Sequence, residues 1–97
     1  MDFDRFKSSL AAARPPEAAG HALQGLWWDG KGDWNKAHKC AQAQDDGDGN
    51  WVHAYLHRKE GDLSNAGYWY RRAGKPVHTG TLDAEWETIA RALLGNA

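Results

Sequence analysis

The chain has 97 residues, of which 41% are hydrophobic and 26% charged, and its formal net charge is −1. This size and balance are typical of one folded domain spanning residues 1–97. The near-neutral charge gives no sign of the strongly basic face that a nucleic-acid partner requires, so we expect no nucleic-acid partner, although Arg71, Arg72 and Lys75 can form a local basic patch. No apolar run follows the first residues, and Cys40 is the single cysteine, so we expect no signal peptide, no membrane segment, no intrachain disulfide and a cytoplasmic location.

Three helices are predicted in the first half of the chain. Apolar residues recur every three or four positions from the start: Phe3, Phe6, Leu10 and Ala13. The proline pair at 15–16 ends this first helix, and Pro16 suits the first position of a second helix over about 16–30. Gly32 ends the second helix, and Asp33 caps the third.

Three more helices are predicted in the second half. Residues 45–50 form a polar loop, and a fourth helix is expected to begin near Asn50. Gly61 ends it and Asp62 caps a fifth helix, whose expected buried stripe is Leu63, Ala66, Trp69, Tyr70 and Ala73. An irregular segment at 74–80 precedes a last helix. No stretch alternates like a strand, so the prediction is an all-α fold with about six helices.

The dipeptide Gly-Asp occurs at 32–33 and again at 61–62, an offset of 29 residues, each time between two helical segments. Around the second copy, the turn glycine, a small Ala66, an aromatic Tyr70 and a small Ala73 resemble the second helix of a tetratricopeptide repeat. The resemblance covers about half of the chain. It implies two tandem antiparallel helical hairpins, flanked by N- and C-terminal helices, with a concave side that binds peptides.

Two histidines four residues apart, His53 and His57, lie on one side of the predicted fourth helix. This spacing suits two ligands of one zinc ion. A complete site needs more ligands, and His38, Cys40 or Glu60 can contribute only through the fold. We therefore predict no metal and no cofactor from the sequence. The alternative interpretation is that both histidines are surface or interface residues that bond to neighbouring helices.

The alternating Asp46, Asp48 and Asn50 look like the first ligands of a calcium loop. Trp51 stands where that loop needs glycine, however, and His57 stands where it needs a bidentate glutamate. A solvated acidic loop is the simpler interpretation.

Aromatic and cationic residues lie off the predicted core stripe of the fifth helix. Asn65, Tyr68 and Arg72 share that outer face, and Arg58 lies near the end of the fourth helix. Together with the two histidines they predict a cationic, aromatic-lined groove that suits a carboxylate, a phosphate or an acidic peptide. The alternative is a solvated helical face whose arginine stems cover the rings.

The sequence contains six tryptophans, which either fill a small core or mark a binding surface. Trp28 lies opposite Leu23 and Leu26 on the predicted second helix. This helix is therefore either central and buried all round, or it offers Trp28 to a partner.

No nucleophile, base and orienting group can be placed together, so the sequence predicts a non-enzymatic scaffold that binds a protein or peptide. The predicted binding residues are Trp28, His53, His57, Arg58, Tyr68 and Arg72. Two alternatives stay open. One is a small-molecule or metal-binding domain centred on the two histidines, and the other is a homodimer that buries its aromatic residues against a second copy of the chain.

Overall fold

A computed structural model describes residues 1–95, which form six α-helices with a 3₁₀ turn, Ser9–Ala11, after the first. The helices are α1 Phe3–Ser8, α2 His21–Gly30, α3 Trp34–Gln42, α4 Gly47–Lys59, α5 Leu63–Ala73 and α6 Leu82–Leu94. No strand occurs within these 95 residues, so the predicted all-α fold with about six helices is confirmed. The longest helices in this part of the chain have 13 residues, and none has the length and apolar character needed to cross a bilayer.

The two Gly-Asp dipeptides form the same turn. Gly32 and Gly61 end α2 and α4 with φ angles of 86° and 89°, a region that favours glycine. In each case the amide of the following aspartate donates to a carbonyl five residues back, that of Trp28 or His57, which is the Schellman arrangement. The aspartate side chain then caps the next helix. The 29-residue repeat is therefore a repeat of this turn.

Each Gly-Asp turn joins two packed helices, so α2 pairs with α3 and α4 pairs with α5. Helix α3 also packs against α4, which brings the two pairs side by side, while α6 packs on α2 and α4. Helix α4 thus contacts four other helices and is the centre of the domain. Its buried residues lie on every side: Gly49, Asn50, Val52, His53, Ala54, Tyr55, Leu56 and His57. The relationship to tetratricopeptide repeats stays a prediction.

Two buried carboxylates hold the C-terminal part of α4 to its neighbours. Asp29 of α2 accepts hydrogen bonds from the hydroxyl of Tyr55, at 2.8 Å, and from Nζ of Lys59, also at 2.8 Å. Glu85 of α6 accepts from Nη1 of Arg58, at 2.8 Å, and from the hydroxyl of Tyr70. Burial, and then the adjacent carboxylate, raises the pKa of both tyrosines above their ordinary value.

Four local predictions differ from the structure. The first helix does not reach the proline pair: α1 ends at Ser8, the 3₁₀ turn ends at Ala11, and Ala13 is exposed outside both. Helix α2 begins at His21 rather than Pro16, because the Pro16 carbonyl accepts the Ala19 amide in a separate turn. Helix α4 begins at Gly47 rather than near Asn50, because the Asp46 carboxylate caps it by accepting the amide of Gly49 at 2.9 Å. Leu63, expected in the core, is 68% exposed at the first position of α5.

Candidate metal centre

Three imidazole rings meet between α3 and α4. Helix α3 contributes His38, and α4 contributes His53 and His57. The Nε2 atoms of His38 and His53 are 2.9 Å apart, and the three ring centroids are 4.6, 4.7 and 5.3 Å from one another. One ligating nitrogen from each ring lies within 4.8 Å of the other two. We call these three residues the histidine cluster.

The first wall of the histidine cluster comes from α3. Trp34 and His38 are four residues apart and therefore adjacent on the helix surface. Their rings stack with centroids 4.9 Å apart and an angle of 11° between their planes. The Trp34 Nε1 donates to the carbonyl of Leu56 at 2.9 Å. This bond fixes α3 against α4 and holds the His38 ring over the two histidines of α4.

The second wall comes from α5. The Trp69 ring stacks on His53 with centroids 3.9 Å apart, and its Nε1 donates to Oδ1 of Asn65 at 3.1 Å. Covered from both sides, His53 is 3% exposed and His57 is 7% exposed, whereas His38 is half-buried. Of the alternative interpretation, the surface position is wrong, because α4 is the central helix, whereas the contacts of the two histidines with neighbouring helices are present.

The surroundings keep two of the rings neutral at pH 7. Burial, with smaller contributions from the neighbouring His38 and His57, lowers the pKa of His53 to about 4. Burial also lowers the pKa of His38, with an added contribution from His57. A metal ion binds the neutral imidazole through its lone pair, so both rings are in the form that a metal requires.

Glu60 sets the orientation of the third ring. Its Oε2 lies 2.5 Å from Nδ1 of His57, which donates the hydrogen bond to the carboxylate. In the neutral ring the other nitrogen, Nε2, carries the lone pair and lies 3.4 Å from the amide nitrogen Nδ2 of Asn65. In metal sites, a carboxylate commonly binds the outer nitrogen of a ligating histidine, where it fixes the ring and raises its basicity.

The spacing of the cluster is close to that of a metal site. Bonds of 2.0–2.1 Å to a tetrahedral zinc ion separate two ligating nitrogens by about 3.3 Å. The 2.9 Å between the Nε2 atoms of His38 and His53 differs from this by a few tenths of an ångström, so this pair needs only a small movement to accept an ion, and the ligating nitrogen of His57 lies within 4.8 Å of both. A second group of close ligand atoms, His57, Glu60 and Asp62, is less suited, because Asp62 caps α5.

The predicted cationic groove is only partly present. Arg72 lies beside Tyr68 and Trp69, with its guanidinium carbon 5.7 and 5.3 Å from their ring centroids, and it pairs with Asp45 at 3.3 Å. His53, which burial keeps neutral, lines a depression next to Arg72 and supplies no charge.

The other two predicted residues lie elsewhere. Arg58 points to α6, where it pairs with the buried Glu85. Trp28 is half-buried and packs edge-on against Trp27, with centroids 4.9 Å apart, and the Nζ of Lys36 lies 4.2 Å from its ring. The structure therefore separates Arg58 and Trp28 from the histidine cluster.

Compared with models of protein families, with curated proteins and with solved structures, the chain matches none of them. The function of the site therefore has to be inferred from its own geometry.

Proposed function

We propose that this protein is a small helical metal-binding domain that holds one divalent transition-metal ion through His38, His53 and His57. The observation that carries the proposal is the mutual approach of three ligating nitrogens within 4.8 Å between α3 and α4. Imidazole nitrogen is a preferred ligand of zinc, copper and nickel. Zinc is the probe we choose, because three histidines form a known zinc ligand set.

The hydrogen bonds of the cluster also favour an ion. Between His38 and His53, one Nε2 must carry the proton and donate to the other. This neutral pair needs no metal, but the third ring brings another lone pair to the same place, held there by Glu60 on its outer nitrogen. Once the donor ring moves its proton from Nε2 to Nδ1, an ion would accept all three lone pairs at once. The alternative is that the rings serve only as packing between two tryptophans.

The test is a zinc titration of the metal-free protein against a chromophoric chelator. We expect one Zn²⁺ per chain with a micromolar or lower Kd. Replacing any one cluster histidine by glutamine should weaken binding at least about tenfold, since a ligand is lost. His21→Gln is the matched control, because His21 is an exposed histidine outside the cluster, and it should bind zinc like the wild type.

A Kd weaker than micromolar would remove the metal-binding proposal. So would a variant that lacks all three cluster histidines yet binds one zinc ion as tightly as the wild type.

A second candidate function is the binding of a protein or peptide through a tetratricopeptide-like surface. The observation that favours it is the outer face of α5, where Tyr68 is 46% exposed beside the exposed Arg72. An aromatic ring next to a guanidinium suits an acidic peptide. Tyr68→Ala/Arg72→Ala should abolish capture of a partner from a lysate without changing the circular dichroism, whereas the neighbouring Arg71→Ala should retain it. Sedimentation distinguishes such a partner from a second copy of the chain.

A further inference from the structure

An open cleft lies between α6 and the segment 74–80, against α4. Its volume is about 470 Å³, within the range of about 300–1,000 Å³ that is usual for small-molecule sites. Its lining comes from three parts of the chain: Trp51 of α4, residues 75–80, and Ala84, Glu85 and Thr88 of α6. None of these residues belongs to the histidine cluster, so the cleft is independent of the proposed metal site.

The wall opposite α6 is held at both ends and unbonded between them. The amide of Lys75 donates to the carbonyl of Tyr70 at 3.0 Å, and the carbonyl of Gly80 accepts from Arg58. In the described part of the chain, residues 76–79 take part in no backbone–backbone hydrogen bond. This wall can therefore adjust to a ligand without loss of backbone–backbone hydrogen bonds.

The lining of the cleft offers apolar surface from all three parts of the chain. Val77, in the adjustable wall, is 58% exposed. Trp51 is half-buried on the α4 side, and Ala84 is exposed in the first turn of α6. A molecule that covers these side chains removes apolar surface from water, which favours binding.

The charge of the cleft comes from Lys75 at its exposed edge. Its Nζ lies 4.4 Å from the ring centroid of Trp51, and within residues 1–95 it pairs with no carboxylate. Glu85, the acidic residue of the lining, is 1% exposed and already accepts hydrogen bonds from Arg58 and Tyr70. The ammonium group of Lys75 is therefore available to an anion.

We propose that this cleft binds a small amphiphilic anion, a molecule with a compact apolar body and one carboxylate or sulfonate group. The apolar body packs against Trp51, Val77 and Ala84, and the anionic group pairs with Nζ of Lys75. An amphiphilic cation would be repelled by this ammonium, and a neutral molecule would gain nothing from it. Charge complementarity thus selects the anion.

The test compares two fluorescent probes that differ in charge, anilinonaphthalene sulfonate and its neutral analogue phenylnaphthylamine. We expect the sulfonate to bind at one site per chain with a Kd below about 100 μM. Lys75→Met keeps the apolar stem and removes the charge. It should weaken the sulfonate about fivefold, the upper end for an ion pair at the surface, and leave the affinity of the neutral probe unchanged. Lys39→Met, at another exposed lysine, is the matched control.

The position of the site is tested by filling the cleft. Ala84→Phe should abolish binding of both probes, whereas Ala92→Phe, at an exposed alanine of α6 outside the lining, should bind like the wild type. If Ala84→Phe disturbs the fold, Val77→Asp on the exposed wall should weaken the sulfonate instead. Loosely packed states also bind this dye, so each variant is first shown to keep its near-ultraviolet circular dichroism.

Three results would overturn the proposal. One is a Kd for the sulfonate above about 100 μM. Another is equal affinity of the sulfonate for Lys75→Met and the wild type, which would remove the anion. The third is unaltered binding in the folded Ala84 or Val77 variant, which would place the dye elsewhere. The zinc titration does not depend on any of these results.

Discussion

His38 and His53 share a hydrogen bond between their Nε2 atoms, 2.9 Å apart, although fifteen residues separate them in the chain. His38 belongs to the helix pair α2–α3, and His53 to the pair α4–α5. The bond therefore crosses the interface between the two pairs, where α3 packs on α4. Any ligand of the histidine cluster binds at this interface.

Glu60 should tune metal affinity without touching the ion. Glu60→Gln keeps a hydrogen-bond acceptor near Nδ1 of His57 but removes the negative charge, so the ring becomes a weaker ligand. We expect zinc affinity to fall about 10- to 100-fold, as it does when the hydrogen-bond partner of a ligating histidine is lost. The measurement is the chelator competition, with Glu87→Gln as the control, since Glu87 pairs with Arg91 at the surface. Equal affinity in the two variants would contradict the prediction.

The metal-free protein should lose stability in mild acid. The pKa of His53 is about 4 in the folded chain and about 6.5 in the unfolded chain, so between these values the unfolded state binds more protons. The free energy of unfolding therefore has its full value above about pH 6.5, and it decreases by about 3 kcal/mol as the pH drops towards 4. The lowered pKa of His38 acts in the same direction.

This pH dependence can be assigned to one ring by urea unfolding at about pH 7.5 and about pH 4.5. His53→Gln cannot take up the proton, so the variant should lose clearly less stability than the wild type over that interval. Carboxylates titrate in both proteins and cancel in the comparison. Identical losses would show that His53 is not the group responsible.

The buried Glu85 should matter far more to stability than its neighbour Glu87. Glu85 is 1% exposed, and Ala at this position leaves Arg58 and Tyr70 without their partner. Removing one member of a buried pair costs about 3–5 kcal/mol, whereas Glu87→Ala breaks a half-exposed pair worth less than about 1 kcal/mol. Chemical denaturation of the two variants gives the comparison, and similar losses would refute the structural role of the Glu85 pair.

Two glycine substitutions should act in opposite directions. Gly61 has a φ of 89°, so Gly61→Ala strains the turn and should cost about 1 kcal/mol or more. Gly67 lies inside α5, where an added Cβ would meet only Arg71 Nη1 at 3.6 Å. Gly67→Ala should stabilise the domain by about 0.5–1 kcal/mol through helix propensity. In thermal melts, the Tm of Gly61→Ala should therefore lie below that of the wild type, and the Tm of Gly67→Ala above it. A shift of the Tm in the same direction in both variants would contradict this prediction.

Local chemistry made the turns predictable. Gly61 and Asp62 suffice to end one helix and cap the next, because the bonds involved span only a few residues. The start of α4 was harder to predict. Asp46, Asp48 and Asn50 are all good caps, and only the structure selects Asp46 among them. Competing local signals of equal strength cannot be ranked without the packing around them.

The candidate site was predictable in part. Helical spacing correctly placed His53 and His57 side by side, off the apolar stripe of α4. It could not reveal that α3 and α5 cover that side as well, because a helical wheel describes one helix and not its neighbours. His38 joins the cluster through the packing of α3 on α4, and its sequence distance of fifteen residues carries no such signal.

The position of the histidine cluster also affects how the domain unfolds. An ion bound to His38 and His53 joins two points on either side of the α3–α4 connection and closes a loop of about fifteen residues. Because the ion would bind the folded chain and lose its ligands on unfolding, it would stabilise the fold by mass action, and a chelator would reverse the effect. Protease cleavage within residues 43–46 would then slow as zinc is added, so metal concentration would govern the lifetime of the folded chain.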